Sequence, residues 1–178
     1  MIYVDMDGVL ANLYDYISYR IFKKQFNGLS PLKKETLKAV WKNRKGFDLL
    51  FPEGPERMFE DLKPYSFNEV LIQAVVNFAG EYTILSRPSS LDQEGTSRAK
   101  RKWVEQHLSF CPPKEVLLVQ DKTANNRAPG NILIDDFQPF INSWREKGGF
   151  AVEYKAWTFN SARAVKQYIE EKLQNSIK

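Results

Sequence analysis

Five short apolar runs constrain this chain more than any other feature. They lie at 2–4 (IYV), 82–85 (YTIL), 116–119 (VLLV), 132–134 (ILI) and 150–154 (FAVEY), with helical stretches between them. Runs this short, rich in Val, Ile, Leu and Tyr, suit strands buried on both faces. Their alternation with helices predicts an α/β fold, a five-stranded parallel sheet flanked by helices. Ligands of such sheets bind beyond the carboxyl ends of the strands. The residues that follow each run are therefore the ones to watch: Asp5 and Asp7, Ser86, the Asp121-Lys122 pair, and Asp135 with Asp136.

The first crossover is too long. More than 70 residues separate the first run from the second, where a simple strand-helix-strand unit needs one helix of about 10–15. Positions 12–63 show helical patterning at 13–26 and 31–43, then a loop, KGFDLLFPEGPER, rich in Gly and Pro. We expect a small helical cap at 12–63 over a core made of 1–11 and 64–178. A helix at 67–79 carries Val70, Leu71, Ala74, Val75 and Phe78 on one face and returns the chain to the sheet. The stretch SRPSSLDQEGTSRAKRK reads as a long polar loop at the rim of the site, running into a helix through Trp103, Val104 and Leu108. A last amphipathic helix covers 161–173.

No apolar run approaches the roughly 18–20 residues that a membrane helix needs. The first residues lead directly into strand-like sequence with acids at 5 and 7, so no cleaved leader is expected. Cys111 is the only cysteine and has no internal disulfide partner, which suits a reducing compartment; a cytoplasmic protein, monomer or homodimer, is expected. The net charge of +4 is unevenly placed: nine Lys and Arg face only Glu35 within 20–45, and Arg98, Lys100, Arg101 and Lys102 form a second cluster. Such clusters attract anions, although a solvated helix face is the plainer account of any single lysine. A small anionic ligand, rather than nucleic acid or a membrane, is the expected partner.

Asp5 and Asp7 occupy i and i+2 of an extended segment, so both carboxylates can face one ligand where the chain leaves the sheet, and Gly8 permits a tight turn beside it. Two acids in one site suit a nucleophile with a proton-transfer group, or joint binding of a hard cation. The other strand ends add the hydroxyl of Ser86, the ammonium of Lys122 and the carboxylates of Asp135 and Asp136. Together these groups form a set for moving a phosphoryl group with Mg²⁺. His107, the only histidine, lies away from every strand end and is given no catalytic role.

The ordered series DMDGV, ILS, DK and LIDD resembles the four motifs of the haloacid dehalogenase-like phosphatase superfamily, and the match spans nearly the whole chain. That resemblance implies a Rossmann-like core and an aspartyl-phosphate mechanism. Asp5 would be the nucleophile, and Asp7 the acid and then the base. Ser86 and Lys122 would hold the transferring group. Mg²⁺ would sit between the Asp5 side chain, the Asp7 backbone carbonyl and Asp136, with Asp135 beside it. DMDGVLAN, FEDLKPY, KRKWVEQHL, QDKT, LIDD and WTFNSA together are similar to the 5′(3′)-deoxyribonucleotidase branch, which implies a nucleoside monophosphate substrate. Lys100 resembles that branch's accessory phosphate-contacting lysine. Arg87 stands where the branch often has a small hydroxyl residue, Gln120 where it tends to have arginine, and TANNRAPGN is longer than its counterpart.

Among the cap aromatics Phe22, Phe26, Trp41, Phe47 and Phe51, Trp41 and Phe47 flank a Gly-containing loop and are the first candidates to stack on a base, with Arg87 and Lys100 below them. Two further readings stay open: the same chemistry on a polynucleotide 3′-phosphate or a sugar phosphate, and a non-catalytic nucleotide-binding module.

Overall fold

A computed structural model describes residues 1–42 and 50–176, the side chains of 38–42 excepted. Five strands form: β1 (Ile2–Val4), β2 (Thr83–Ser86), β3 (Glu115–Leu118), β4 (Ile132–Asp135) and β5 (Phe150–Glu153). They pair in the order β3-β2-β1-β4-β5, and all four pairings are parallel. The expected five-stranded parallel sheet is thus present, with β1 at its centre. Val4 is in register with Ile84 on one side and Ile134 on the other, so the three strand ends that follow open on the same edge.

Strand alternation sends side chains to two faces. Ile2, Val4, Ile84, Ile134 and Val152 share an apolar cluster with helices α4 (Asn68–Ala79), α5 (Gln93–His107) and α7 (Ala162–Asn175). Tyr3, Leu85, Leu133 and Ala151 point the other way, onto α6 (Gln138–Glu146), where Trp144 meets the Tyr3 ring edge-on at 5.4 Å. Each fully buried aliphatic side chain of these clusters is worth about 1.5–3 kcal/mol. Only one crossover breaks the strand-helix alternation. Between β3 and β4 the chain crosses the second face with a single 3₁₀ turn at Ala124–Asn126, and Ala128 packs there in place of a helix.

The chain enters and leaves residues 12–63 side by side. Asn12 N–H donates to the Lys63 carbonyl at 2.8 Å, Tyr65 N–H to the Leu10 carbonyl at 2.9 Å, and Ala11 bridges Pro64 antiparallel. Within this stretch lie α1 (Leu13–Phe22), α2 (Pro31–Lys42) and α3 (Gly54–Asp61). Buried residues of this stretch, among them Leu13, Ile17, Phe51, Met58 and Phe59, continue the first apolar cluster.

Three local outcomes differ from the sequence expectation. The first helix stops at Phe22 rather than at 26, because Lys23 turns left-handed (φ 55°) and a 3₁₀ turn, Phe26–Gly28, follows. Residues 45–49 of the Gly- and Pro-rich loop lie outside the described residues, and its end is already helical: α3 starts at Gly54, with Pro55 in the first helical turn, where a missing N–H is harmless. The long polar loop after β2 is short: Asp92 caps α5 by accepting from Gly95 N–H at 2.9 Å, so the helix begins at Gln93. A Cβ at Gly95 would lie 2.1 Å from Asp92 Oδ2, which explains glycine in that first turn.

Candidate active site

The turn after β1 sets the site. Leu10 and Ala11 N–H both donate to the Met6 carbonyl, at 2.8 and 2.7 Å, curling the chain back over the strand end. Gly8 adopts φ 78°, and a Cβ there would stand 2.6 Å from both Asp136 Oδ2 and Tyr14 Cε2. Glycine is required twice over, for the left-handed backbone and for the space.

Asp5, Asp135 and Asp136 are buried together, and each offers a carboxylate oxygen within 4.8 Å of the others. Lys122, 1% exposed, is the cation placed among them. Its Nζ donates to Asp135 Oδ2 at 2.6 Å and stands 2.9 Å from Asp5 Oδ1 as an ion-pair contact. Asp5 Oδ1 is nonetheless without a hydrogen bond of acceptable geometry, a buried oxygen still lacking a donor. Burial disfavours the Lys122 ammonium, but Asp135 and Asp5 more than offset that and hold its pKa above the ordinary value. Burial pushes Asp135 up to about 6, against the opposing pull of Lys122. Asp136 is raised well above the usual carboxylate range by burial, then by the charges of Asp135 and Asp5.

The two carboxylates of LIDD are engaged differently. Asp135 uses both oxygens, Oδ2 for Lys122 and Oδ1 for the Phe137 N–H at 2.8 Å. Asp136 accepts the Tyr14 hydroxyl on Oδ2 at 2.7 Å.

Asp7 faces the opposite side of the site. Lys100, fully buried on α5, donates to Asp7 Oδ2 at 2.6 Å and to Ser86 Oγ at 2.9 Å, and its Nζ lies 4.5 Å from the ring centroid of Phe59 on α3. Burial raises the Asp7 carboxyl, Lys100 opposes the rise, and Asp5 adds to it. Asp7 Oδ1 is buried without a hydrogen-bond partner.

The structure thus brings Asp5, Asp7, Ser86, Lys100, Lys122, Asp135 and Asp136 to one sheet edge. Arg87 is exposed beside them, its guanidinium 5.4 Å from the Phe140 ring that also lies 4.7 Å from Lys122 Nζ. Trp41 belongs to α2, but its side chain, like Phe47 as a whole, lies outside the described residues. Phe26 packs on Tyr14 and Trp157, Phe51 stacks near Tyr16, and Phe22 lies under Lys33. The Arg98–Lys102 run is no common anion surface. Arg98 pairs with Glu56 and Glu94, Lys102 with Glu60, Arg101 donates to the Val116 carbonyl, and Lys100 enters the site.

Sequence reasoning missed Tyr14, Phe59 and Phe140. Tyr14 meets Asp136 from α1, Phe59 meets Lys100 from α3, and Phe140 meets Lys122 and Arg87 from α6, and no local pattern marks such contacts. His107 is the last residue of α5, and its ring lies tilted against Trp103 at 4.8 Å.

No described helix is long and apolar enough to cross a membrane. No curated protein matches the chain. Among solved structures it is similar to a hydrolase from Streptococcus pneumoniae TIGR4 (TM-score 0.58, 13% identity, 95% of this chain and 97% of that one). A HAD-superfamily hydrolase from Ehrlichia chaffeensis is also similar (0.54, 13%, 97% and 96%), as is the magnesium-bound HAD-hydrolase YfnB from Bacillus subtilis (0.51, 13%, 84% and 84%). At these identities the likeness shows the haloacid dehalogenase-like fold. The family model described as 5′ nucleotidase, deoxy (Pyrimidine), cytosolic type C protein matches residues 1–164. The chain belongs to that family, and it is a phosphatase-type hydrolase built on the haloacid dehalogenase-like fold.

Proposed function

We propose that the protein is a Mg²⁺-dependent phosphomonoesterase that hydrolyses nucleoside monophosphates in the cytoplasm through an aspartyl-phosphate on Asp5. One observation carries the reading: Asp5 and Asp7, two residues apart, face different partners. Asp5 meets Lys122 and the acidic cluster, while Asp7 meets Lys100 and has a carboxyl raised by burial. That is the division expected between a nucleophile and a proton donor.

An Asp5 oxygen attacks phosphorus as the ester P–O bond breaks, and Asp7 gives its proton to the departing alcohol oxygen. Asp7, now a carboxylate, takes a proton from water, whose oxygen attacks phosphorus and releases phosphate and Asp5. Lys122 offsets charge beside Asp5, and Lys100 with Ser86 offers donors toward the phosphoryl group.

The donor set fits a hard cation. Three buried carboxylates face one ammonium, Asp5 Oδ1 lacks a hydrogen-bond partner, and all the ligands are oxygens. Asp5, Asp136 and the Asp7 backbone carbonyl would hold Mg²⁺, with Asp135 as an outer partner because both its oxygens are engaged. When bound, Mg²⁺ supplies Lewis-acid neutralisation of phosphoryl charge. The family description, deoxy and pyrimidine, supports the substrate class, the word cytosolic supports the compartment, and the magnesium-bound neighbour supports the metal.

Asp5→Asn tests the covalent route, since an amide cannot form the phosphoryl ester. Phosphate release from a panel of deoxynucleoside monophosphates should fall by at least about 10⁵-fold. Acid-quenched wild-type protein should carry one phosphoryl group that the variant lacks. Near-normal turnover by Asp5→Asn would sink the mechanism.

A further inference from the structure

Asp136 receives its hydrogen bond from the inserted stretch, 122 positions away in sequence. Tyr14 on α1 donates its hydroxyl to Asp136 Oδ2 at 2.7 Å. The ring is pinned: it lies tilted against Phe26 at 4.8 Å and edge-on to Trp157 at 4.5 Å, and Phe26 and Trp157 meet each other at 5.4 Å. The backbone makes room for the contact, because any Cβ at Gly8 would come within 2.6 Å of both Asp136 Oδ2 and Tyr14 Cε2. The turn after β1 and helix α1 therefore crowd one carboxylate oxygen, and the segment after β5 packs on the ring that reaches it.

We propose that Tyr14 is a positioning residue that restricts Asp136 to one-oxygen ligation and thereby sets the affinity and the choice of divalent cation. The inference rests on the reading of Asp136 as a metal ligand. Mg²⁺ demands near-octahedral geometry at about 2.0–2.1 Å, whereas Ca²⁺ accepts chelating carboxylates at about 2.3–2.6 Å. A hydroxyl fixed on Oδ2 opposes rotation of the carboxylate into a chelating pose and leaves Oδ1 for the cation. Partners of this outer kind are typically worth 10–100-fold in metal affinity. Because Tyr14 belongs to α1, the seating of the inserted stretch on the core and the loading of the metal are coupled.

Tyr14→Phe removes the hydroxyl and keeps the ring between Phe26 and Trp157. Metal-free wild type, Tyr14→Phe and Asp136→Asn are titrated with Mg²⁺ and with Ca²⁺ by calorimetry without substrate, and the Tm of each is recorded. The expected result is a loss of Mg²⁺ affinity in Tyr14→Phe of about 10-fold or more, with a smaller loss or a gain for Ca²⁺. The ratio of the two affinities is a readout that destabilisation alone does not move. Unchanged binding of both cations by Tyr14→Phe, while Asp136→Asn has lost Mg²⁺, overturns the role of Tyr14 and leaves the metal site standing. Equal loss of both cations overturns the selectivity. Wild-type Mg²⁺ binding by Asp136→Asn removes the metal reading itself, and the proposal with it.

Discussion

The two sides of the site have opposite charge balances. On the β1–β4 side, among the described residues, three buried carboxylates, Asp5, Asp135 and Asp136, cluster about one ammonium, Lys122, which pairs with Asp5 and Asp135. On the β1–β2 side one carboxylate, Asp7, meets one ammonium, Lys100, with the Ser86 hydroxyl as a third member. The second group sets one acid against one base, with donors left to offer an anion. The first carries an excess of negative charge in a buried setting, where uncompensated charge is costly. Under the proposed function this difference would put the cation on one side and the proton transfer on the other, and would give Asp5 and Asp7, two residues apart, different roles.

Lys122→Met attacks the comparison at its strongest point. The methionine keeps apolar bulk near Phe140, yet Asp5 and Asp135 lose their shared cation. Removing one partner of a buried ion pair costs about 3–5 kcal/mol, and losing a charge-stabilising group at the phosphoryl site costs about 10²–10³-fold in rate. The metal-free variant should melt well below wild type in calorimetry, and saturating Mg²⁺ should recover part of the difference. Wild-type stability in this variant would show that the acidic side does not depend on its ammonium.

Lys100→Met acts on the balanced side, with a smaller effect. Lys100 is what opposes the rise that burial imposes on Asp7, so its loss moves Asp7 further up. Turnover should fall by about 10²-fold, the scale of a mispoised proton donor. The apparent pKa in the pH–rate profile should move upward, with Mg²⁺ affinity little changed. If Mg²⁺ affinity falls as far as the rate, the two sides are not separable.

A different division, strand ends against helices, separates what the sequence made legible from what it hid. Asp5, Ser86, Lys122, Asp135 and Asp136 all stand at or just after strand ends, and short apolar runs announce strand ends; the parallel sheet itself followed from those runs. Helices announce themselves by period, but the identity of a helical residue that reaches the site depends on packing. Lys100 was reached only by resemblance, since nothing in SRAKRK distinguishes the one lysine that turns inward from its solvated neighbours. Tyr14 and Phe59 belong to the stretch whose long-range contacts no local pattern encodes, and α3 was concealed by the Gly and Pro that open it.

The smallest expected effect is the pH dependence of the cation's contribution to stability, set by the acidic side. Asp135 is pushed up to about 6 in the folded protein, from roughly 3.9 in an unfolded chain. A carboxyl raised on folding binds its proton more tightly in the native state, so its contribution to stability is complete below about pH 4 and is lost as pH rises toward 6. Asp136, raised in the same direction by burial and by its acidic neighbours, extends that loss to higher pH. At the proposed site Mg²⁺ would compete with those protons, and its binding would strengthen as the carboxylates ionise. The Tm difference between Mg²⁺-loaded and metal-free protein, measured from about pH 4.5 to about pH 7.5, should therefore grow with pH, most steeply near 6. Lys100→Met, on the balanced side, should leave that curve in place. A Tm difference that stays flat across the range would mean that the buried carboxylates are not where the cation binds, and the contrast between the two sides would lose its physical cause.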